Sequence, residues 1–476
     1  MNNFKKRKIS TRPKRKPLSE KAKQNLITAL GIILLILVVY WSGLRLLERV
    51  SGSKIFGLFS GLVGKELVTD STGHTTILLL GVGGEGHEGR DLTDTMIVAT
   101  LNQRNHTAAL LSIPRDLYVE ADLYKGRING LYEFSEGKLS PSQSLDFMRD
   151  TVQKTINIPI NYVMKVDFKA FEKAVDSVDG IDVFVEKTID DPLYPKGETF
   201  EYEPFYLPAG LQHLDGATAL KYVRSRKSSS DFDRSKRQQQ VLVALKQKAE
   251  QENILQKTSF IEDLYASISQ DVVTDMSIRE MLSLASFAAA WKTDSLVTST
   301  LNDEPSLRGG FLYTPSRELY AGAFVLRPAG ETFDSIQKFA ALVLYADHSA
   351  VEAKIAILNG TKKGGLAGTL REALNRFGFN VVYTGNAESN AKTQSTWYPN
   401  SADADASSPV VNTVFKAPFS NQTPDIYRQN PKLAKAKFIL ELGADAPPIV
   451  DSLDIFKNIV LLVQPDAKQP PLHPSL

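Results

Sequence analysis

Three clusters in this chain of 476 residues carry side chains suited to handling phosphate. The first is GVGGEGHEGRDLTDT (81–95), with five glycines in the nine residues from Gly81 to Gly89. A Gly-rich turn after a strand lets backbone N–H groups approach an anion closely, although the same composition also serves a plain flexible turn. Asp94 closes the segment, with Glu85, Glu88 and Asp91 nearby in sequence. A carboxylate there could hold Mg²⁺, which keeps several waters and shares its ligands with phosphate oxygens, or it could simply cap a strand or helix. The second cluster is SIPRDLYV (112–119), in which an apolar run stops at Pro114 and Arg115 follows. Open α/β sheets bind ligands at the carboxyl ends of their strands, and a guanidinium placed there is shaped for bidentate contact with phosphate. A surface pair of Arg115 with Asp116 is the plainer alternative. The third and densest is ALKYVRSRKSSSDFDRSKRQQQ (219–240). Arg224 and Arg226 are two apart and share a face if extended. Arg234 and Arg237, three apart at the start of a helix, also share one, with Gln238 and Gln239 beside them. Clustered guanidinium groups repel one another and persist most readily around a polyanion. A diphosphate held by Arg and a divalent ion is therefore preferred to a solvated basic patch.

Other chemistries are poorly served. Cysteine is absent, which excludes disulfides, thiolate zinc sites and a cysteine nucleophile. No GK[ST], GxSxG or HExxH occurs, and the six His are scattered. Lys plus Arg number 56 and Asp plus Glu 54, a formal net charge of +2. Residues 1–25 hold ten cations and one anion, so the remaining residues carry 46 cations against 53 anions. Such a body is a poor match for nucleic acid.

The elements that must position these clusters read as follows. TTILLLG, TMIVATLN, AALLSI, NYVMKVD and IDVFVE are short apolar or β-branched runs bounded by turn residues, as buried strands are. Residues 141–156 and 168–178 carry apolar side chains at helical spacing. The alternation predicts a layered α/β domain over 75–300, with 301–350 as a peripheral extension or linker. A second, smaller α/β unit is expected over 351–464: strand VEAKIAILNG, a Gly-opened helix KKGGLAGTLREALNRFG, strand FNVVYTGNA, a largely loop stretch 386–425 and a last strand at 459–463. The Pro-rich residues 465–476 read as a disordered tail. Ahead of all this, residues 26–44 are 19 uncharged and mostly apolar residues. As a helix they would span about 28 Å. The basic residues 1–25 precede them, Tyr40, Trp41 and Arg45 mark their far end, and 45–74 reads as a linker. The expectation is a single-pass signal-anchor in a bacterial cytoplasmic membrane, with the N-terminus inside and the bulk outside.

Taken in order, ILLLGVGG, LTDTMIVATLN, LLSIPRDLYV, GRINGLYE, YVMKVDFKAFEKAVDSVDGIDV, LPAGLQHLDGATALKYVRSRK and SDFDRSKRQQQVL resemble the LytR-CpsA-Psr family of bacterial cell-envelope proteins. Residues 352–463 resemble the carboxyl-terminal domain often attached to them. The resemblance implies an α/β/α domain with a central mixed sheet and an apolar lipid pocket. It also implies a transferase that moves a glycopolymer from a polyprenyl-diphosphate carrier to a peptidoglycan hydroxyl through a phosphodiester, with Mg²⁺ (or Mn²⁺) at the diphosphate and membrane lipids as neighbours. Asp94 stands where the family's TDT aspartate binds the metal or acts on the incoming hydroxyl. Arg115 stands at the IPRD arginine, and Arg224 with Arg226 match the paired phosphate-neutralising arginines. Arg234, Arg237 and Gln238 match an R-x-x-RQ signature lining the same site, while Asp231 and Arg127 join the substrate-binding set. The family usually reads G-x-D after the first strand. Here that position is Gly83: Glu85 or Asp91 could replace the lost carboxylate, or the ion could be held more loosely. A non-catalytic sensor that binds polyprenyl phosphate in the same pocket is the alternative.

Overall fold

The computed structural model describes residues 67–87, 89–195, 201–225, 231–251, 270–277, 296–346, 351–401 and 409–457, with a few isolated positions between them. A six-stranded mixed sheet forms from β1 (His74–Val82), β2 (Thr95–Asn102), β3 (Thr107–Ser112), β6 (Tyr162–Asp167), β11 (Val272–Thr274) and β12 (Leu296–Thr300), in the order β11-β6-β1-β2-β3-β12. The run β1-β2-β3 is an antiparallel meander, while β6 lies parallel to β1 and β12 parallel to β3. Successive strand residues point to opposite faces. Leu78 and Leu80 enter one core and Ile77 another, and all three are buried. Burial on both faces explains why this strand reads as an unbroken apolar run.

Helices α1 (Gly130–Glu136), α2 (Pro141–Ile156) and α6 (Asp334–Tyr345) cover one face, through Tyr132, Met148, Val152 and Phe339 among others. Helices α3 (Phe168–Asp176), α4 (Gly216–Arg224) and α5 (Asp231–Gln251) cover the other, through Ala170, Ala219 and Val241. Local chemistry sets their starts. Ser140 and Gln143 form a reciprocal capping box with Pro141 in the first turn of α2. Asp167 accepts from the Ala170 N–H at 2.8 Å, and Asp215 from the Thr218 N–H at 2.8 Å. Four two-stranded ribbons decorate the layers: β4 (Tyr118–Ala121) with β5 (Tyr124–Arg127), β7 (Ile181–Val185) with β10 (Gly210–Leu214), β8 (Ile189–Pro195) with β9 (Tyr202–Leu207), and β13 (Leu312–Tyr313) with β14 (Arg327–Pro328).

The second sheet has four strands, β16 (Asn380–Asn386), β15 (Lys354–Asn359), β18 (Phe438–Leu442) and β17 (Thr396–Pro399) in that order, packed by α7 (Leu366–Arg376) and α8 (Ala446–Leu453). Residues 301–346 form the joint between the two sheets. The Phe311 ring lies 5.1 Å from Phe339 and 4.8 Å from Phe377, and one continuous core runs from Leu78 to Leu440.

The expected fold needs correction in its membrane-spanning part. Among the described residues no helix is long and apolar enough to cross a membrane. The longest of them, α5, has the length but carries Asp233, Arg234, Lys236, Arg237, Lys246 and Lys248. The single-pass anchor, and the localisation read from it, rest on residues 26–44, which lie outside the described residues, as do 1–25, the proposed strand at 459–463 and the tail.

Candidate active site

Because β2 runs antiparallel to β1 and β3, its start lies beside their ends. Gly81 pairs with Thr95, and Ile97 with Ser112. One sheet edge therefore collects the Gly-rich turn after β1, Asp94 before β2, Pro114 and Arg115 after β3, and Asp167 at the end of β6. Here Arg115 Nη1 donates to Asp94 Oδ1 at 3.0 Å, and Asn129 Nδ2 donates to the same oxygen at 3.2 Å. Asn129 is 2 % exposed. It also holds the backbone on both sides of the site, accepting from the Thr93 N–H at 3.0 Å and donating to the Arg115 carbonyl at 3.2 Å. Behind Arg115 sits the buried Asp116, 3.4 Å from Arg115 Nε and 3.0 Å from Arg127 Nη1. The plainer reading of Arg115 with Asp116 as a surface pair is thus half right: they pair, but Asp116 is buried and Arg115 faces Asp94.

Helix α5 supplies the opposite wall. Gln238 Nε2 donates to Thr95 Oγ1 at 2.8 Å, and Gln239 Nε2 to Ser112 Oγ at 2.9 Å, so two consecutive amides pin the helix to the sheet edge. Arg234, Ser235 and Gln238 then face Asp94, Thr95, Met96, Ile113, Pro114 and Arg115 across a small cavity. Arg237 does not join them. It is 7 % exposed and donates to the carbonyls of Tyr222 and Ser225, tying the end of α4 to α5.

The remaining predicted residues lie around this centre. The Arg224 guanidinium sits over the Phe168 ring at 4.3 Å, and the His87 ring meets Phe168 edge-on at 5.0 Å, so Arg224 and the Gly-rich turn share that aromatic. Gly84, at φ +80°, packs so closely on Asp167 that an added Cβ would lie 2.7 Å from Oδ2. At Gly83 a Cβ would meet that of His87 at 2.9 Å, so the turn as folded leaves no room for the family's aspartate. Asp91 is not a substitute. It is 8 % exposed and takes Arg90 Nε at 2.6 Å and Lys165 Nζ at 3.5 Å. Burial opposes its ionisation, but the Arg90 hydrogen bond and the Lys165 charge hold its carboxyl below the usual value. Glu85 is exposed on the turn. Arg226 and the side chain of Asp231 lie outside the described residues.

Two expectations change on this geometry. The site cavity encloses about 10 Å³, room for about one water. The apolar lipid pocket expected within the domain is not found among the described residues, because Leu78, Val98 and Leu111 on the sheet are packed to 0 % exposure by the domain's own side chains. Nor do three or more His, Asp or Glu gather anywhere among the described residues to cage a metal. Asp94 is the carboxylate that lines the cavity, a donor set suited to an ion that completes its shell with water and phosphate oxygens.

An α/β/α layer thus brings arginines and a carboxylate together at the carboxyl edge of its sheet. The chain belongs to the LytR_cpsA_psr family, whose profile matches residues 56–323, and a profile described as LytR cell envelope-related transcriptional attenuator matches 352–428. It is 32% identical over 254 residues to the polyisoprenyl-teichoic acid–peptidoglycan teichoic acid transferase TagV of Bacillus subtilis, covering 52% of this chain and 59% of that protein. It is 28% identical over 236 residues to TagT of the same organism, covering 48% and 69%, and 28% identical over 274 residues to TagU of Enterococcus faecalis, covering 56% and 83%. The crystal structure of B. subtilis TagV aligns with a TM-score of 0.44 at 26% identity, over 57% of this chain and 97% of that one. The chain thus spans less than two thirds of the first of these relatives.

Asn129 and Thr95 were not singled out as site residues from sequence. An asparagine two positions beyond Arg127, in a loop leading to a helix, was the available signal for the first.

Proposed function

We propose that the cleft transfers a glycopolymer phosphate from a polyprenyl-diphosphate carrier to a hydroxyl of peptidoglycan. The observation that carries this reading is the Asp94–Arg115 pair at 3.0 Å, facing a cavity whose far wall presents Arg234. The relatives TagV, TagT and TagU are named as teichoic acid transferases to peptidoglycan, which supports it. In the step, the acceptor oxygen bonds to the phosphorus that bears the glycopolymer. The bridging P–O bond to polyprenyl phosphate breaks, and the hydroxyl proton passes to Asp94. Arg115 and Arg234 hold the diphosphate and stabilise the charge that grows on the leaving oxygen. Arg224 at the Phe168 ring, with Arg127, adds positive charge around the carrier. Asp94 is the residue that would hold Mg²⁺, or Mn²⁺ in its place; when bound, the ion neutralises charge on the diphosphate oxygens.

The test is single-turnover transfer by the full chain, given a polyprenyl-diphosphate-linked glycopolymer, peptidoglycan and Mg²⁺. Wild type should release polyprenyl monophosphate, and Asp94→Ala should not. Donor binding with no turnover by wild type would instead favour the sensor.

A further inference from the structure

A row of paired charges leads away from the cleft. From Asp94 it runs to Arg115, to Asp116 and to Arg127, whose side chain is 42% exposed. Arg127 lies directly across the β4–β5 ribbon from Tyr118. There the chain returns from the joint between the two sheets. Leu326 donates to the Asp116 carbonyl at 2.8 Å, and Tyr118 donates to the Leu326 carbonyl at 2.9 Å. This docks the segment 313–327 against the edge of the site. The Tyr320 ring meets Tyr118 edge-on at 5.0 Å. The Arg327 guanidinium stands 5.4 Å over the Tyr118 ring, opposite Tyr313 in register and 4.0 Å from Glu120. Tyr118, Tyr313, Tyr320 and Arg327 are each partly exposed.

We infer that this patch is the acceptor subsite, a platform for the saccharide whose hydroxyl attacks. The inference rests on the transfer reading above. Sugar rings have one apolar C–H face and a rim of hydroxyl and amide groups. Tyrosine faces suit the former, and a guanidinium fork with a carboxylate suits the latter. A transferase at phosphorus also needs a second polymer brought in line with the leaving group. An acceptor lying on Tyr118 and Tyr320 passes Arg127 and Arg115, which the buried Asp116 holds from beneath, and ends at Asp94, the group that takes its proton.

The test is calorimetric binding of a soluble, unsubstituted peptidoglycan glycan strand to the full chain, with thermal melting of each variant alongside. Tyr320→Ala and Arg327→Gln should each weaken glycan binding about tenfold. Phe184→Ala, an exposed aromatic on β7 away from the patch, should leave it at the wild-type value. Wild-type affinity in both patch variants, or no glycan binding by wild type, overturns the inference. Donor hydrolysis by wild type without glycan reads the chemistry separately. Tyr320-dependent glycan binding without donor turnover would sink the transferase reading and keep the patch as a glycan site.

Discussion

On the sheet side of the cleft, Arg115 points its guanidinium at Asp94 and keeps a face on the cavity, braced from behind by Asp116. On the helix side, Arg237 lies one turn from Arg234 in the same basic run, yet it turns away and satisfies the carbonyls of Tyr222 and Ser225. The two arginines differ in what they displace. Arg115 is placed where an anion could sit. Arg237 closes the gap left where α4 ends, whose last carbonyls lack helical partners. Residue type and spacing made them equivalent, and burial separates them: one is available to a substrate, the other holds the wall that presents Arg234.

That contrast gives a ranked set of outcomes. Arg115→Ala should lower single-turnover transfer roughly 10²–10³-fold while leaving the melting temperature near wild type. Arg237→Ala should do the reverse. Leaving two carbonyls without their charged donor costs about 2–3 kcal/mol of stability, visible in urea unfolding, while activity per folded molecule at low temperature stays near wild type. If Arg237→Ala abolishes turnover without loss of stability, the division between the walls is wrong.

Asn129→Ala sharpens the sheet side. It removes a donor to Asp94 and should lower kcat about tenfold with little change in donor KM; an equal rise in KM would make it a binding residue. The smallest effect tests whether acid lability comes from outside the cleft. At the opposite end of β1, burial, aided by the Arg104 charge and opposed by Asp70, holds the His74 imidazole below its usual 6.5. Burial works against ionisation of Asp70 as well, yet hydrogen bonds from the Thr72 and Tyr345 hydroxyls and the His74 N–H hold its carboxyl down at about 2. Both groups have folded values below their unfolded ones, so the unfolded chain binds more protons and stability falls on acidification. The His74 contribution is intact above 6.5 and is lost as pH drops through that value. The Asp70 contribution is lost between 3.8 and about 2. His74→Gln should flatten the slope of melting temperature between pH 7 and 5; an unchanged slope would place that lability elsewhere.

Much of this was legible in the chain. ILLL and TMIVATLN announced strands because burial on both faces leaves no polar alternation, and apolar spacing over 141–156 announced α2. Asp94 and Arg115 were found because they sit at strand ends, where side chains must leave the sheet. β18 lies beyond the expected loop stretch 386–425 and was not read as a strand: Glu441 interrupts its apolar run, and only the fold shows that carboxylate buried against the Tyr398 hydroxyl at 3.1 Å. The joint 301–346 read as peripheral because its apolar residues, Phe311 and Phe339 among them, follow no single period and pack between two sheets. Arg237 could not be told from Arg234, nor Asp91 set aside as a metal carboxylate, since which carboxylate meets Lys165 and which arginine meets a carbonyl depends on contacts distant in sequence.

The most direct measurement is the release of polyprenyl monophosphate in a single turnover by the full chain with Mg²⁺, comparing wild type with Asp94→Asn. The substitution keeps size and removes the charge that meets Arg115. Release by wild type, lost in Asp94→Asn while the donor still binds, is the expected result. Equal release by both proteins would contradict the account at its centre.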